Sequence, residues 1–370
     1  ASAQTTANLS PHLFLKGYAA YGVRDKKWKY EGEVEYSFLK KQYSPEEFPR
    51  NSIAISTRYD VMAPSDAMLP TDKDNVFTSL KTQTIDQMSY FRQYNIRYVY
   101  EFDNHFGITA QLRHITQNPT GTLFYRTLGG QIVPELTQSE ATLSLRYAPG
   151  EKVVVTKQRR HPVNHNYPIY TLMHTTGFKD VLGGDYASNY TELSVTKRFW
   201  LNSYGRIDIY GRAGAQWNRV PFPLLITPAA NNSYIIQRSM FNMINNMEFM
   251  NDRFVSLAVQ WDLSGKLFNR IPLLKHLKWR EVIGFKTLYG TLTDKNNPFK
   301  QGSTSDLFEF PSRNGQPTSF VMGDTPYMEL NVGIHNIFKI LRVDYVRRLN
   351  YLNVPNAKKN GVRFVLQFDF

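Results

Sequence analysis

The last nine residues, Val362-Arg363-Phe364-Val365-Leu366-Gln367-Phe368-Asp369-Phe370, decide how the rest of the chain is read. Successive side chains of a strand point to opposite faces, so Val362, Phe364, Leu366, Phe368 and Phe370 share one apolar face. Arg363, Val365, Gln367 and Asp369 take the other. A tilted strand crosses a bilayer in about 9–11 residues. This stretch has that length and ends on an aromatic, as outer-membrane barrels of Gram-negative bacteria commonly do. Alone, it reads equally as the edge strand of a soluble sandwich.

The rest of the chain repeats the pattern. Trp28, Tyr30, Gly32, Val34, Tyr36 and Phe38 oppose Lys29, Glu31, Glu33, Glu35 and Ser37. Tyr94, Ile96, Tyr98, Tyr100 and Phe102 oppose Gln93, Asn95, Arg97, Glu101 and Asp103, and Val255, Leu257, Val259, Trp261 and Leu263 oppose Ser256, Gln260 and Asp262. Strands of about 10–14 residues exceed the usual soluble length of about 5–6. Dense mixed charge on one face of many strands suits opposing side chains that neutralise one another across a lumen. The expected fold is therefore all-β: an antiparallel transmembrane β-barrel of about 16 strands, closed by 361–370, with 1–370 as a single barrel domain.

Strands are expected at 12–22, 27–39, 51–62, 89–103, 106–117, 137–147, 151–158, 168–176, 186–199, 204–217, 238–249, 252–263, 277–290, 326–335, 339–349 and 361–370, with 2–8 a further strand whose partner lies upstream. The weakest patterns are 168–176, 238–249 and 277–290, where Glu281 falls on the outward side. Barrels of this kind have short periplasmic turns and long outer loops. Counting back from a periplasmic end places 350–360, 291–325, 250–251, 200–203, 159–167, 118–136 and 63–88 outside. The turns at 104–105 and 148–150, Phe338 and the amphipathic stretch 267–277 fall inside. So does 218–237, a long apolar segment that would pack under the barrel, plug it or touch a partner.

Composition agrees. In 370 residues there are 23 Tyr, 24 Phe and no Cys, which suits aromatic girdles and excludes disulfide staples and thiolate metal sites. Negative mean hydropathy and the lack of any apolar run near 18 residues exclude transmembrane helices, not transmembrane strands. The net charge of +13 is spread along strands and loops rather than gathered in runs, which argues against nucleic acid and for a basic lumen and rims. No signal peptide is visible ahead of Ala1, so the chain reads as a processed or partial protein.

No residue set points to catalysis. No Gly-x-Ser-x-Gly elbow occurs, and the Glu31, Glu33, Glu35 ladder reads as a salt network. Arg159, Arg160, His161, His165 and His174 form the densest imidazole cluster, but Pro162 and Pro168 make a polar loop the better reading than a metal site. Asp72, Asp74 and Asn75 lack the glycine and terminal glutamate of a calcium loop. The Asn189 and Asn231 sequons are formal only. No enzyme activity, cofactor or metal is expected.

Several stretches resemble one family: Gly17-Tyr18-Ala19-Ala20-Tyr21-Gly22, Asp25-Lys26-Lys27-Trp28, Lys73-Asp74-Asn75-Val76-Phe77, Phe222-Pro223-Leu224-Leu225-Ile226, Asn269-Arg270-Ile271-Pro272-Leu273-Leu274, Arg280-Glu281-Val282 and Asn336-Ile337-Phe338-Lys339. Together they resemble uncharacterised Bacteroidetes outer-membrane proteins with an amino-terminal carboxypeptidase-regulatory-like domain ahead of a domain of unknown function. That resemblance implies a missing upstream domain and carries no defined activity. Gly183-Gly184-Asp185-Tyr186, a Gly-rich strand at 205–215 and Arg342-Val343-Asp344-Tyr345 are more loosely similar to the BamA-like superfamily, though its Arg-Gly-Phe loop motif is absent.

The expected role is a non-enzymatic structural or partner-binding component of a bacterial outer-membrane complex; the alternatives are a BamA-like insertion or translocation barrel and a solute pore. Expected partners are outer-membrane lipid and lipopolysaccharide, the barrel-assembly machinery and protein subunits. Phe364, Leu366, Phe368 and Phe370 would form the closure and assembly signal. Phe222, Leu224, Leu225, Phe268, Ile271, Leu273 and Leu274 would meet periplasmic partners.

Overall fold

The structure is a computed structural model that describes residues 1–66, 81–82, 85–156, 160–163, 166–237, 239–300 and 302–366. Fifteen strands form one antiparallel sheet in which every strand pairs with its neighbours in the chain. They are β1 (Ser2–Gln4), β2 (Leu13–Gly22), β3 (Lys27–Ser37), β4 (Asn51–Met62), β5 (Gln87–Glu101), β6 (Phe106–Gly121), β7 (Leu136–Tyr147) and β8 (Ile169–Phe178). Then come β9 (Ser188–Trp200), β10 (Arg206–Gln216), β11 (Arg253–Asp262), β12 (Arg280–Thr291), β13 (Tyr327–Ile337), β14 (Leu341–Arg348) and β15 (Asn360–Leu366).

The alternation of the sequence becomes an inverted surface. On β3, Trp28 is 63% exposed and Val34 48%, whereas Glu35 is 3% and Ser37 0%. The polar face is the buried one because the sheet curves around its own side chains. The salt ladder forms as its sequence suggested: Glu31 pairs with Arg58 at 3.6 Å, Glu33 with Arg97 at 3.1 Å and Glu35 with Arg50 at 2.8 Å.

Two expected strands are not in the sheet. Among the described residues of 151–158 only Val153–Val155 is extended, and it pairs with Arg160–Pro162 as a separate hairpin. Across 238–249 the described residues form no strand. Here Met240, Phe241, Asn242, Met243, Ile244, Met247, Glu248 and Phe249 are all buried, so the segment has no solvent or lipid face to alternate against. The sheet thus has fourteen strands of seven residues or more plus the three-residue β1. β1 pairs with β2 through Ser2↔Tyr18 to Gln4↔Lys16, so one of its edges has a partner within the described residues.

Glu281 lies on the outward side, as its position in the pattern requires. It is 6% exposed because the connection from β11 folds over it, and its carboxylate accepts the Leu267 N–H at 2.5 Å. Alternation holds on β15 as far as it is described: Val362 is 44% exposed and Arg363 3%, with Tyr345 opposite Val362. Phe368 and Phe370 lie outside the described residues, as do Asp72, Asp74 and Asn75.

All the strands alternate in direction, so connections fall at two ends. The end that holds 349–359 also holds 292–326, 217–252, 179–187, 122–135 and 63–86. The opposite end holds 338–340, 263–279, 201–205, 148–168, 102–105 and 38–50. Removing the two extra strands moves 217–252 to the end of the long connections, and moves 200–203 and 159–167 to the other. No helix of the described residues is long and apolar enough to cross a membrane, which leaves strands unaddressed.

Candidate functional site: a segment folded into the sheet

The residues between β10 and β11, 217–252, turn back from the long-connection end and fill the concave face. Two apolar clusters seat them. Val220, Phe222, Leu225, Met247 and Met250 pack with Leu123, Tyr125, Leu136, Phe308 and Phe310 from the neighbouring connections and strand ends. Ile226, Ala230, Phe241, Ile244 and Phe249 pack with Phe254, Leu288 and Tyr327 of β11, β12 and β13. Burial of this apolar area, at roughly 25 cal/mol per Å², is the main force holding the segment in place.

Among its described residues the segment has no strand and a single 3-10 turn, Phe222–Leu224, which leaves backbone polar groups to satisfy, and asparagine does much of that work. Asn231 donates to the Ile235 carbonyl at 2.8 Å and to Asn242 Oδ1 at 2.9 Å. Asn246 Oδ1 accepts the Ser65 hydroxyl at 2.7 Å, while its amide donates to the Gln87 carbonyl at 2.9 Å. The Asn251 backbone exchanges two bonds with Ile226 at 2.8 and 3.0 Å.

Charged side chains of the sheet clamp the same segment. Glu329 of β13, 2% exposed, accepts the Asn242 and Met243 N–H groups at 2.9 and 3.0 Å and the Tyr327 hydroxyl at 3.0 Å. Lys286 Nζ donates to the Met240 carbonyl and lies 4.0 Å from Glu329. Arg348, fully buried, forms an ion pair with Glu248 at 2.7 Å without good hydrogen-bond alignment. Arg363 of β15 donates to the Asn242 carbonyl at 2.8 Å. Asn246 reaches β5 while Asn242 reaches β13 and β15, so one segment bridges distant parts of the sheet.

The segment also meets the outer edge of β15 at one residue. The Phe364 N–H donates to the Tyr234 carbonyl and the Ile236 N–H to the Phe364 carbonyl, both at 2.8 Å, forming a parallel bridge between Ile235 and Phe364. Below the segment, a cavity of about 230 Å³ is lined by Ile236, Ser239, Asn242, Asp208, Lys286 and Arg342 among others. Its charges are paired: Arg342 meets Asp344 at 2.7 and 2.6 Å, and Arg198 meets Asp208 at 2.5 and 2.8 Å.

The seven residues expected to meet periplasmic partners divide. Phe222 and Leu225 are 2% exposed and Leu224 packs against the same cluster, so these three are covered by their own chain at the opposite end. Their apolar run is better placed in this buried cluster than at an exposed surface. Phe268 and Leu274 are half-covered, while Ile271 (48%), the N-cap of the helix α1 (Pro272–Leu277), and Leu273 (71%), within it, are exposed. Arg160 joins Glu101 and Glu151, each at 2.8 Å, whereas His174 bonds Thr191 on another strand. Arg159 and His165 lie outside the described residues. Among the described residues, no group of three metal-binding side chains converges. Sequence reasoning missed the clamp formed by Glu329, Arg348, Lys286 and Arg363, although the asparagine- and methionine-rich run at 231–251 was its available signal.

Fold and site together define a class: a long antiparallel meander, apolar outside and charged inside, filled by a segment of its own chain. Within it, this chain belongs to the family described as "Family of unknown function (DUF5686) C-terminal domain", whose model matches residues 2–299. No curated protein matches it. Among solved structures it is similar to BamA from Haemophilus ducreyi lacking POTRA domains 1–3, at 8% identity and a TM-score of 0.54, covering 98% of this chain and 70% of that one. CdiB from Acinetobacter baumannii gives 8% identity, 98% and 58% coverage and a TM-score of 0.47. OccK11 (OpdR) from Pseudomonas aeruginosa gives 8%, 98% and 92%, with a TM-score of 0.32. The BamA likeness is one of fold, and the fold assignment rests on it alone among the three.

Proposed function

We propose that the chain is a transmembrane β-barrel of the bacterial outer membrane, and that it serves as a non-enzymatic structural or partner-binding component of an outer-membrane complex. The observation that carries this is the inverted amphipathicity. Exposed Trp28, Val34, Ile55, Leu112 and Val255 stand opposite buried Glu35, Asp60, Lys286, Asp344 and Arg363. In water such a surface would expose far more apolar area than a soluble protein tolerates; in a bilayer it is the stable arrangement. Closure would bring β2, antiparallel to β15, to the seam, giving an even count of long strands. The long connections then face outward, and Phe364 and Leu366 lie on the lipid face, where the assembly machinery would read them.

A role without transport fits the filled lumen, which speaks against a wide solute pore. Partners would meet the long-connection end, where an open cleft of about 810 Å³ lies between Thr127, Gln131, Lys179, Asp185, Arg219 and Asp306. The upstream carboxypeptidase-regulatory-like domain and the Bacteroidetes source belong to the same proposal. Two measurements test it. The unheated protein should migrate faster than the heated one in SDS gels; no shift would remove the barrel. A mild-detergent pull-down should retain stoichiometric subunits, and their absence would remove the complex.

A second reading, an insertion or translocation barrel, is favoured by the BamA-like fold and by the short contact at the β15 edge. It predicts loss of other outer-membrane barrels on depletion.

A further inference from the structure

We propose that the connection between β11 and β12, with the two turns beside it, is a binding surface for the headgroups of anionic phospholipids in the inner leaflet of the membrane that the sheet crosses. Residues 263–279 contain Lys266, Arg270, Lys275 and Lys278 and no Asp or Glu. Arg280 follows, and Lys339 stands in the 338–340 turn, which is also free of carboxylates, as is 201–205. The two acids that flank 263–279, Asp262 and Glu281, are both buried: Asp262 pairs with Arg206 at 3.3 Å, and Glu281 accepts the Leu267 N–H at 2.5 Å. By contrast, the long connection 292–326 at the opposite end carries Asp294, Asp306, Glu309 and Asp324.

The three connections are tied into one surface. Asn336 donates its side-chain amide to the Lys278 carbonyl at 2.7 Å, linking the 338–340 turn to the end of α1. Lys266 Nζ stands 4.2 Å over the Tyr204 ring, and the Trp261 indole donates to the Tyr204 carbonyl at 2.9 Å. Between the cations lie exposed Leu267 (51%), Ile271 (48%), Leu273 (71%), Leu277 (45%) and Phe338 (85%).

This mixture decides the occupant. A basic, acid-free surface studded with large apolar side chains is the composition that settles at an anionic bilayer interface. The cations meet phosphate at the headgroup level while Leu273 and Phe338 enter the acyl boundary. The position suits it as well, because the patch lies just beyond the ends of β9 to β14, where a crossing sheet leaves the hydrocarbon. The proposal rests on the transmembrane reading given above.

The test uses the whole chain reconstituted in vesicles. With no native cysteine, Leu273→Cys takes one environment-sensitive fluorophore, and Ile96→Cys, at mid-strand on the outward face, takes it as a control. Phosphatidylcholine vesicles are doped with brominated phosphatidylglycerol or with brominated phosphatidylcholine at equal mole fraction. At position 273 the anionic quencher should act ~threefold more strongly than the zwitterionic one. That preference should fall to about one in 0.5 M salt, an ionic strength chosen as roughly threefold physiological. It should also disappear in the K266Q/R270Q/K275Q/K278Q variant. Equal quenching by the two lipids would overturn headgroup recognition. No quenching at 273, with normal quenching at 96, would show that solvent or a protein covers this surface and would overturn the proposal. No quenching at 96 would instead defeat the transmembrane reading. If the Leu273 variant fails to assemble, Phe338→Cys carries the same probe.

Discussion

Replacing Glu329 with alanine should release the inserted segment while leaving the sheet intact. Glu329 is 2% exposed and accepts the Asn242 and Met243 backbone N–H groups and the Tyr327 hydroxyl. It is also the carboxylate 4.0 Å from the buried Lys286. Each orphaned buried donor costs about 1–3 kcal/mol, and removing one partner of a buried ion pair about 3–5 kcal/mol. These terms share atoms and are not additive, so about 5 kcal/mol is a reasonable total. The ladder bonds of β13 to β12 and β14 use backbone atoms and survive the change. The loss therefore falls on 240–250 rather than on the sheet. Amide exchange there, read by mass spectrometry, should quicken roughly four-thousandfold, since each ~1.4 kcal/mol is tenfold. On the proposed barrel reading, planar-bilayer conductance should rise as the segment leaves. Glu329→Gln keeps an acceptor and should give a smaller change. Unchanged protection in Glu329→Ala, with heat-dependent gel mobility retained, would show that apolar packing alone holds the segment and would refute the clamp.

Leu225→Ala should cost about 2–5 kcal/mol through the cavity left among Phe222, Tyr125 and Phe308, lowering the temperature of the gel-mobility shift. An altered pull-down with no thermal change would restore Leu225 as a partner contact. The pair Ile235→Cys and Phe364→Cys should form a disulfide under mild oxidation, because the two residues bridge each other across the β15 edge; free thiols after oxidation would contradict that pairing. Lys358, in the 349–359 connection, is held down from 10.5 to about 8, chiefly by burial and secondarily by Arg363. A lysine whose folded value is depressed loses its proton in the folded state first, so the unfolded chain binds more protons between those two values. Stability should therefore rise with pH from about 8 to 10.5 and level off beyond. A Lys358→Met variant should flatten the dependence in thermal melts, and an unchanged slope would assign it elsewhere.

Much of the fold was legible because alternation is a local property. Each of β2 to β15 has an expected strand at its place, and the Glu31, Glu33, Glu35 ladder found its arginines. Two false strands entered because alternation cannot distinguish a strand from a short run that happens to alternate. Val153–Val155 has the right residues but spends them on Arg160–Pro162, a partner outside the main sheet. Phe241, Met243 and Phe249 alternate with Asn242 and Glu248, yet both parities are buried, because those polar groups meet Glu329 and Arg348 rather than water. Two insertions preserved parity, so loops near the C-terminal strands fell on the correct end, while everything between the two errors was inverted. Composition carried the missing information: Met240, Met243, Met247 and Met250 are four of the ten methionines. Unbranched, adaptable side chains suit an irregular core better than a pleated face, and the surrounding asparagines suit a backbone without a ladder.

The two ends of the meander explain why the inserted segment and the sheet edge belong to one device. β1 and β15 run parallel, since they are separated by an even number of antiparallel steps, and β1 pairs with β2 over three residues. β15 finds its outer partner elsewhere, in Ile235 of the inserted segment. The same segment gives Asn242 both to Glu329, through its backbone N–H, and to Arg363, through its carbonyl. Asn242 therefore couples the inserted segment to the last strand across one residue. A perturbation that pulls 240–250 out of the concave face must also strip the Arg363 bond, and Ile235–Phe364 lies only seven residues away along the chain. Breaking the Glu329 clamp while the Ile235–Phe364 disulfide is closed should confine exchange to 240–250; breaking it with the thiols free should spread exchange into β15.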